Sequence, residues 1–285
     1  MRCYTLKEFN NNKGLLDSSV DATYIIHLIG NGRLDHVYSQ MKDYIITKTT
    51  YILFNKGYKK CKKNKNIDGT AKDLIDAFLY IFKDAKIKNY NNILILEDDF
   101  TFLPLIKDNN VIDDINNFII KKQNDEFIYY LGCIPYIIIP SMTNHNIVIL
   151  SSGTHSCIYS NKIINKVLNM KEELTDWDYM CNFKCYGKRY MYNKLLCYQL
   201  FPRTENSKSW GGNSFFMSNI CKIGFKIAQL LQLDKRHDIG YPLFYNLSKV
   251  LFILIVIIII YLTNCIIKIV KIKKIGKIIG KTIIF

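Results

Sequence analysis

Proline, glycine and alanine are scarce in this sequence, with 5 Pro and 14 Gly in 285 residues, while Ile, Asn, Lys and Tyr are abundant. That balance fits an AT-rich coding sequence, and it lowers the weight that any single Asn or Lys can carry. Other signatures are missing altogether, and each absence removes a class of function. The nine cysteines include no Cys-x-x-Cys pair; Cys181 and Cys185 are four apart and Cys61 stands alone in a lysine run, which argues against a structural zinc site. Scattered thiols in a large domain are expected to act as small hydrophobes in a reducing compartment. Met1 to Ser19 is polar, without the apolar core of a signal peptide. There is no Walker loop, nucleophile elbow or metalloprotease helix, and Gly30-Asn31-Gly32 is too short for a dinucleotide fingerprint.

What is present is apolar and basic. The hydrophobic fraction of 49% is ample for a packed core. Lys and Arg number 39 against 24 Asp and Glu, a formal charge of +15. Such an excess often marks a nucleic-acid or anionic-membrane partner. No zinc-ligand spacing, aromatic RNA-binding signature or basic zipper helix accompanies it, so no nucleic-acid partner is expected. Much of the charge lies in the run Lys56, Lys59, Lys60, Lys62, Lys63 and Lys65 and in the tail Lys268 to Lys281. Both face a membrane or phosphate groups, or simply solvate the surface.

The apolar pattern predicts a strand at Thr23 to Ile29, closed by the Gly-containing turn, then a helix from about Leu34 to Ile46 and a strand at Thr50 to Phe54. Thr70 is the expected N-cap of an amphipathic helix running to about Lys86, with Asp73 in its first turn. Asn92 to Leu96 is continuously apolar, as in a central strand covered on both faces, and it ends abruptly in Glu97-Asp98-Asp99. Further strands are predicted at Phe127 to Leu131, Ile147 to Leu150 and Leu195 to Phe201. Helices are predicted at Ser160 to Met170, Thr175 to Phe183 and Phe215 to Leu233. This rhythm implies an α/β fold with a mostly parallel sheet, in which ligands bind beyond the carboxyl ends of the strands.

Val250 to Ile267 carries no charge, long enough for one transmembrane helix of about 20 residues. A buried soluble helix would be expected to show a polar stripe, and this stretch has none. The expected organisation is a catalytic domain at 1–235, a juxtamembrane linker at 236–248, a single C-terminal membrane anchor at 249–268 and a basic tail at 269–285. Cysteine usage favours a cytosolic domain, whereas the lysine-rich tail pulls the other way.

Three adjacent carboxylates at the end of a buried strand repel one another and lose hydration, and a divalent cation is the simplest compensation. Oxygen ligands suit Mg²⁺ or Mn²⁺, which in turn neutralise a diphosphate. Acidic triplets also occur in ordinary caps and turns; it is the strand before this one that gives it meaning.

Ile93-Leu94-Ile95-Leu96-Glu97-Asp98-Asp99-Phe100 resembles the acidic motif of glycosyltransferase family 25, the lipopolysaccharide and collagen sugar transferases. Three further segments resemble that family in the same order. They are Tyr24 to Leu28, then Gly153-Thr154-His155-Ser156-Cys157-Ile158-Tyr159-Ser160, then Asp176-Trp177-Asp178 with Leu196-Cys197-Tyr198-Gln199. The match spans roughly Tyr24 to Trp210. It departs from the family where the arginine-rich turn is reduced to Arg33 and where Asp73 replaces an expected Ser-His pair.

The resemblance implies the GT-A fold, a Rossmann-like sheet, and a sugar moved from a nucleotide sugar to a glycan, protein or lipid hydroxyl. Asp98 and Asp99 would then bind the metal and the donor diphosphate, with Glu97 towards the sugar or supporting the loop. Asp176 and Asp178 are the candidate general bases for an inverting transfer, although Asp176 is equally suited to capping a helix. His155 would touch acceptor or phosphate, or serve as a hydrogen-bonded structural histidine, and His27 reads as a satisfied core residue. Arg203 and Lys208 would close over the diphosphate or lie in a solvated loop; Trp177 and Trp210 would stack on a sugar or pack in the core. The rivals are a nucleotidyltransferase using the same carboxylates and a membrane protein with a degenerate transferase domain.

Overall fold

The computed structural model describes residues 3–64, 66–171, 175–184, 187–199, 226–233 and 235–282, with side chains described as far as Val270. Its centre is a seven-stranded mixed sheet of order β1-β3-β2-β4-β7-β6-β8. The strands are β1 (Tyr4–Asn10), β2 (Ala22–Leu28), β3 (Thr49–Asn55), β4 (Asn92–Glu97), β6 (Phe127–Ile139), β7 (His145–Ser160) and β8 (Lys188–Tyr192). A two-stranded ribbon pairs β5 (Phe100–Phe102) with β9 (Cys197–Gln199).

β2, β3 and β4 are parallel, and they read as continuous apolar runs because both faces of the sheet are covered. Tyr24, Ile26, Leu53, Ile93 and Ile95 face one core with α2 (Thr70–Ile87), α4 (Asn161–Leu168) and α5 (Trp177–Phe183). Ile25, Ile52, Leu94 and Leu96 face the other, with α1 (Leu34–Asp43) and α3 (Asn109–Lys121). The chain leaves β2 for β3 on one side of it and returns through α2 to β4 on the other. A crevice therefore opens where the carboxyl ends of β2 and β4 diverge, the place where open α/β sheets bind ligands.

Several sequence expectations change. The sheet is mixed, because β1 and β7 run antiparallel to their neighbours β3 and β4. Gly69 rather than Thr70 is the N-cap of α2, in extended geometry and without a side-chain bond. Cys3 and Cys61 form a disulfide, so Cys61 is not isolated. Lys63 belongs to structure rather than to a solvated run, since its ammonium lies 2.5 Å from Asp73, which also accepts from Asn55. Trp177 is core: its ring stacks on Phe78 at 4.3 Å and its indole donates to Tyr159.

The segment expected as a linker is partly helical. Helix α6 (Gly240–Thr282) begins within it, and Tyr241, Tyr245 and Ser248 are buried against the domain. Beyond them the helix projects free. Among the described residues it is the one helix long and apolar enough to cross a membrane, with mean hydropathy 3.1 in a window of which none is buried.

Candidate active site at the ends of β2 and β4

β4 stops at Glu97, and Asp98 and Asp99 form the turn into β5. Both aspartates are buried, at 6% and 8% exposure, so every oxygen needs a partner. Asp98 finds a full set on the β2–α1 side. Its Oδ2 accepts from Leu28 N at 3.0 Å, Asn31 Nδ2 at 2.6 Å and His27 Nδ1 at 3.0 Å, and its Oδ1 from Arg33 Nη1 at 3.0 Å. Burial alone would raise its pKa, but these donors outweigh burial and hold the carboxyl below its ordinary range.

Asp99 is less complete. Its Oδ2 accepts from Arg33 Nη1 and Gln199 Nε2, both at 2.9 Å, while Oδ1 is buried without a partner. Burial raises its pKa, with Arg33 and Gln199 opposing. Glu97 is raised well above the ordinary value, by burial first and then by repulsion from Asp99, Asp178 and Asp98.

Asp178, in the first turn of α5, lies in the same electrostatic field as Glu97. Its Oδ2 accepts from Gly153 N at 3.0 Å, where β7 takes a left-handed turn at φ +85°, and its Oδ1 is buried without a partner. Burial pushes its pKa up to about 6 although Gly153 and Thr154 oppose the shift. His155 is fully buried beside Gly132 and Gly153, and burial pushes its pKa down to about 4. Neither ring nitrogen has a hydrogen-bond partner, so the expected hydrogen-bonded structural histidine is not what the fold makes of it. It is a neutral imidazole at physiological pH.

The fold thus brings Glu97, Asp98, Asp99 and Asp178 into one electrostatic cluster, with His155 behind it. Asp176 does something else: it is the N-cap of α5, with Oδ1 accepting from Tyr179 N at 2.8 Å. Arg203, Lys208 and Trp210 lie outside the described residues. His27 and Gln199 fall in segments that carry the family resemblance but have no predicted site role, and Asn31 lies in the turn dismissed as a fingerprint. His27 is satisfied, as expected, but by Asp98.

No protein-family model matches the chain. No curated protein matches it either, so the likeness to family 25 has no counterpart at the level of sequence families. Solved structures of similar outline exist at low identity. A197 from STIV is 13% identical, with a TM-score of 0.40 over 64% of this chain and 86% of its own. A glycosyltransferase involved in glycosylation of the major capsid of PBCV-1 is 11% identical, with a TM-score of 0.37 over 66% and 96%. A putative glucose-1-phosphate thymidylyltransferase from Bacillus anthracis, in complex with sucrose, is 12% identical, with a TM-score of 0.30 over 77% and 79%.

Beside the Asp98 donors a cavity of about 270 Å³ is lined by His27, Ile29, Gly30, Gly32, Leu34, Asp35 and Phe54. Gly30 and Gly32 both have positive φ, the left-handed turn that only glycine adopts freely. Lys60 reaches this rim, with Nζ 3.3 Å from the position a Cβ on Gly30 would occupy. Two cationic side chains, Arg33 and Lys60, therefore border the crevice.

The acidic cluster accommodates a divalent cation in part. Among the described residues no three His, Cys, Asp or Glu side chains already converge as ligands. Asp98 is committed to its four donors. Asp99, with its orphaned buried Oδ1, offers a free hard oxygen of the kind that Mn²⁺ or Mg²⁺ takes.

Proposed function

We propose that the chain is a glycosyltransferase that moves a sugar from a nucleotide sugar to an acceptor hydroxyl. One observation carries this reading: carboxylates with unsatisfied buried oxygens stand at the switch point in the parallel part of the sheet, next to a cavity walled by a glycine turn and flanked by Arg33 and Lys60. The donor's nucleoside would enter the cavity with its diphosphate between Lys60 and Arg33. Arg33 bridges Asp98 and Asp99, so its guanidinium can turn to phosphate without crossing the site. Asp99 and Glu97 would hold Mn²⁺ or Mg²⁺, whose chemistry there is neutralisation of the diphosphate as it leaves the sugar.

Asp178 is the general base in this proposal. It has a free buried oxygen and a pKa near neutrality, whereas Asp176 is occupied as a cap. Helix α6 is proposed as the membrane anchor. The Cys3–Cys61 disulfide and the six lysines after Ile267 support a domain on the non-cytosolic face, with the tail in the cytosol.

The test uses the full chain in detergent, a panel of nucleotide sugars, and Mn²⁺ or a chelator. Metal-dependent release of nucleoside diphosphate from one donor, abolished by Asp99→Asn, is the expected result. Release of pyrophosphate instead would establish a nucleotidyltransferase. Absence of both donor turnover and donor binding would leave a degenerate transferase domain.

A further inference from the structure

The anchor helix is fastened to the candidate site itself. Tyr241, in the first turn of α6 and 0% exposed, donates its hydroxyl to the Gln199 carbonyl at 2.8 Å and accepts from Gln199 N at 3.2 Å. The same Gln199 holds Asp99 through its side chain. One turn on, Tyr245 is buried in the main core, and Phe244 meets Tyr136 edge to face at 6.2 Å. α6 then runs without a break into the exposed apolar stretch that starts at Val250.

With α6 as the proposed anchor, its tie through Gln199 to Asp99 sets how far the site stands from the bilayer. From Tyr241 to Lys249, the last charge before the apolar stretch, eight residues span roughly 12 Å at about 1.5 Å each. A site held at that height is within reach of a lipid headgroup or of the first sugars attached to it. A bulky soluble acceptor would have to fit into the same gap between domain and membrane. Resting on the transferase reading, we infer that the acceptor is a hydroxyl carried by a membrane lipid, on its headgroup or on a short headgroup saccharide.

The test takes the full chain reconstituted in vesicles and the nucleotide sugar that it turns over. Acceptors are phosphatidylinositol and monoglucosyl diacylglycerol in the same vesicles, against glycerophosphoinositol and glucosylglycerol in solution. A variant with seven helix-forming residues inserted between Lys249 and Val250 raises the site by about 10 Å. The expected result is at least a tenfold preference for a lipid acceptor over its water-soluble counterpart, lost in the spacer variant. Hydrolysis of the donor by water should be unchanged in that variant, which shows that it is folded. Equal use of lipid and soluble acceptors, use of soluble acceptors alone, or a lipid preference indifferent to the spacer overturns the inference and leaves the transferase reading intact. Should the spacer variant not hydrolyse donor, the preference of the natural chain decides alone. No donor turnover under any condition removes both readings.

Discussion

At the scale of single residues, the candidate site is set apart by which carboxylate oxygens have partners. The acidic run at 97–99 was visible in the sequence, but its division of labour was not. Asp98 is neutralised by groups from Leu28, Asn31, His27 and Arg33, some 65 to 71 positions away, and spacing alone gives no sign of such contacts. The pair Asp176 and Asp178 was legible as a pair, and only the onset of α5 separates a cap from an acid with an orphaned buried oxygen. Asp178→Asn keeps the acceptor for Gly153 N and removes the ionisable group. Turnover is expected to fall by about 10²-fold or more, as for loss of a general base. In the natural chain, the rate should rise with pH as Asp178 ionises around pH 6. Stability should move the other way. A carboxyl raised from 3.8 to about 6 in the fold binds its proton more tightly there than in the unfolded chain, so stability declines as pH rises through that window, by about 3 kcal/mol. Asp178→Asn should therefore melt higher than the natural chain at pH 7.5 and no higher at pH 4. A lower melting temperature at pH 7.5 would mean that its negative charge is structural.

At the scale of elements, the parallel unit was readable because each of its signals is local. Continuous apolar runs gave β2 and β4, and helical spacing gave α2 within a residue or two. The antiparallel half was harder. β1 is half exposed at the sheet edge and reads as a polar N-terminus, while α3 is rich in Asn and fell between the motifs. β6 and β7 run to 13 and 16 residues with register shifts where they bend round the site, which short apolar windows divide into pieces. Gly132 lies between two of those shifts. A Cβ there would stand 1.6 Å from the Cys197 carbonyl oxygen and 3.2 Å from His155 Nε2, so β6 can pass behind the site only without a side chain. Gly132→Ala must displace backbone and is expected to lower stability by about 3 kcal/mol or more. Gly32→Ala meets no neighbour within 4 Å and carries only the strain of φ +79°, a smaller loss of about 1 kcal/mol. Urea unfolding of the two variants compares them directly, and equal losses would show that β9 yields to make room.

At the scale of the whole molecule, the long apolar helix was legible as eighteen residues without charge, but the sidedness of a membrane anchor was not. Counting thiols suggested the cytosol, and that count missed a pairing across 58 residues that the β1–β3 edge brings together. A cross-link closing a loop of that length contributes about 4 kcal/mol by limiting the unfolded chain. It would be lost in a compartment that keeps thiols reduced. The charges flanking the helix agree with the disulfide. Six lysines follow the apolar stretch between Lys268 and Lys281, against Lys235, Arg236 and Lys249 before it, and the richer side tends to remain cytosolic. In sealed vesicles oriented cytosolic face outward, trypsin should shorten the chain only by its basic tail. The domain should stay protected, and Cys3 and Cys61 should resist alkylation until a reductant is added. If trypsin instead digests the domain and both thiols alkylate at once, the domain is cytosolic. A cytosolic domain would leave the helix docked on Gln199 at the same height above the bilayer, but a lipid acceptor would then be modified from the cytosolic leaflet.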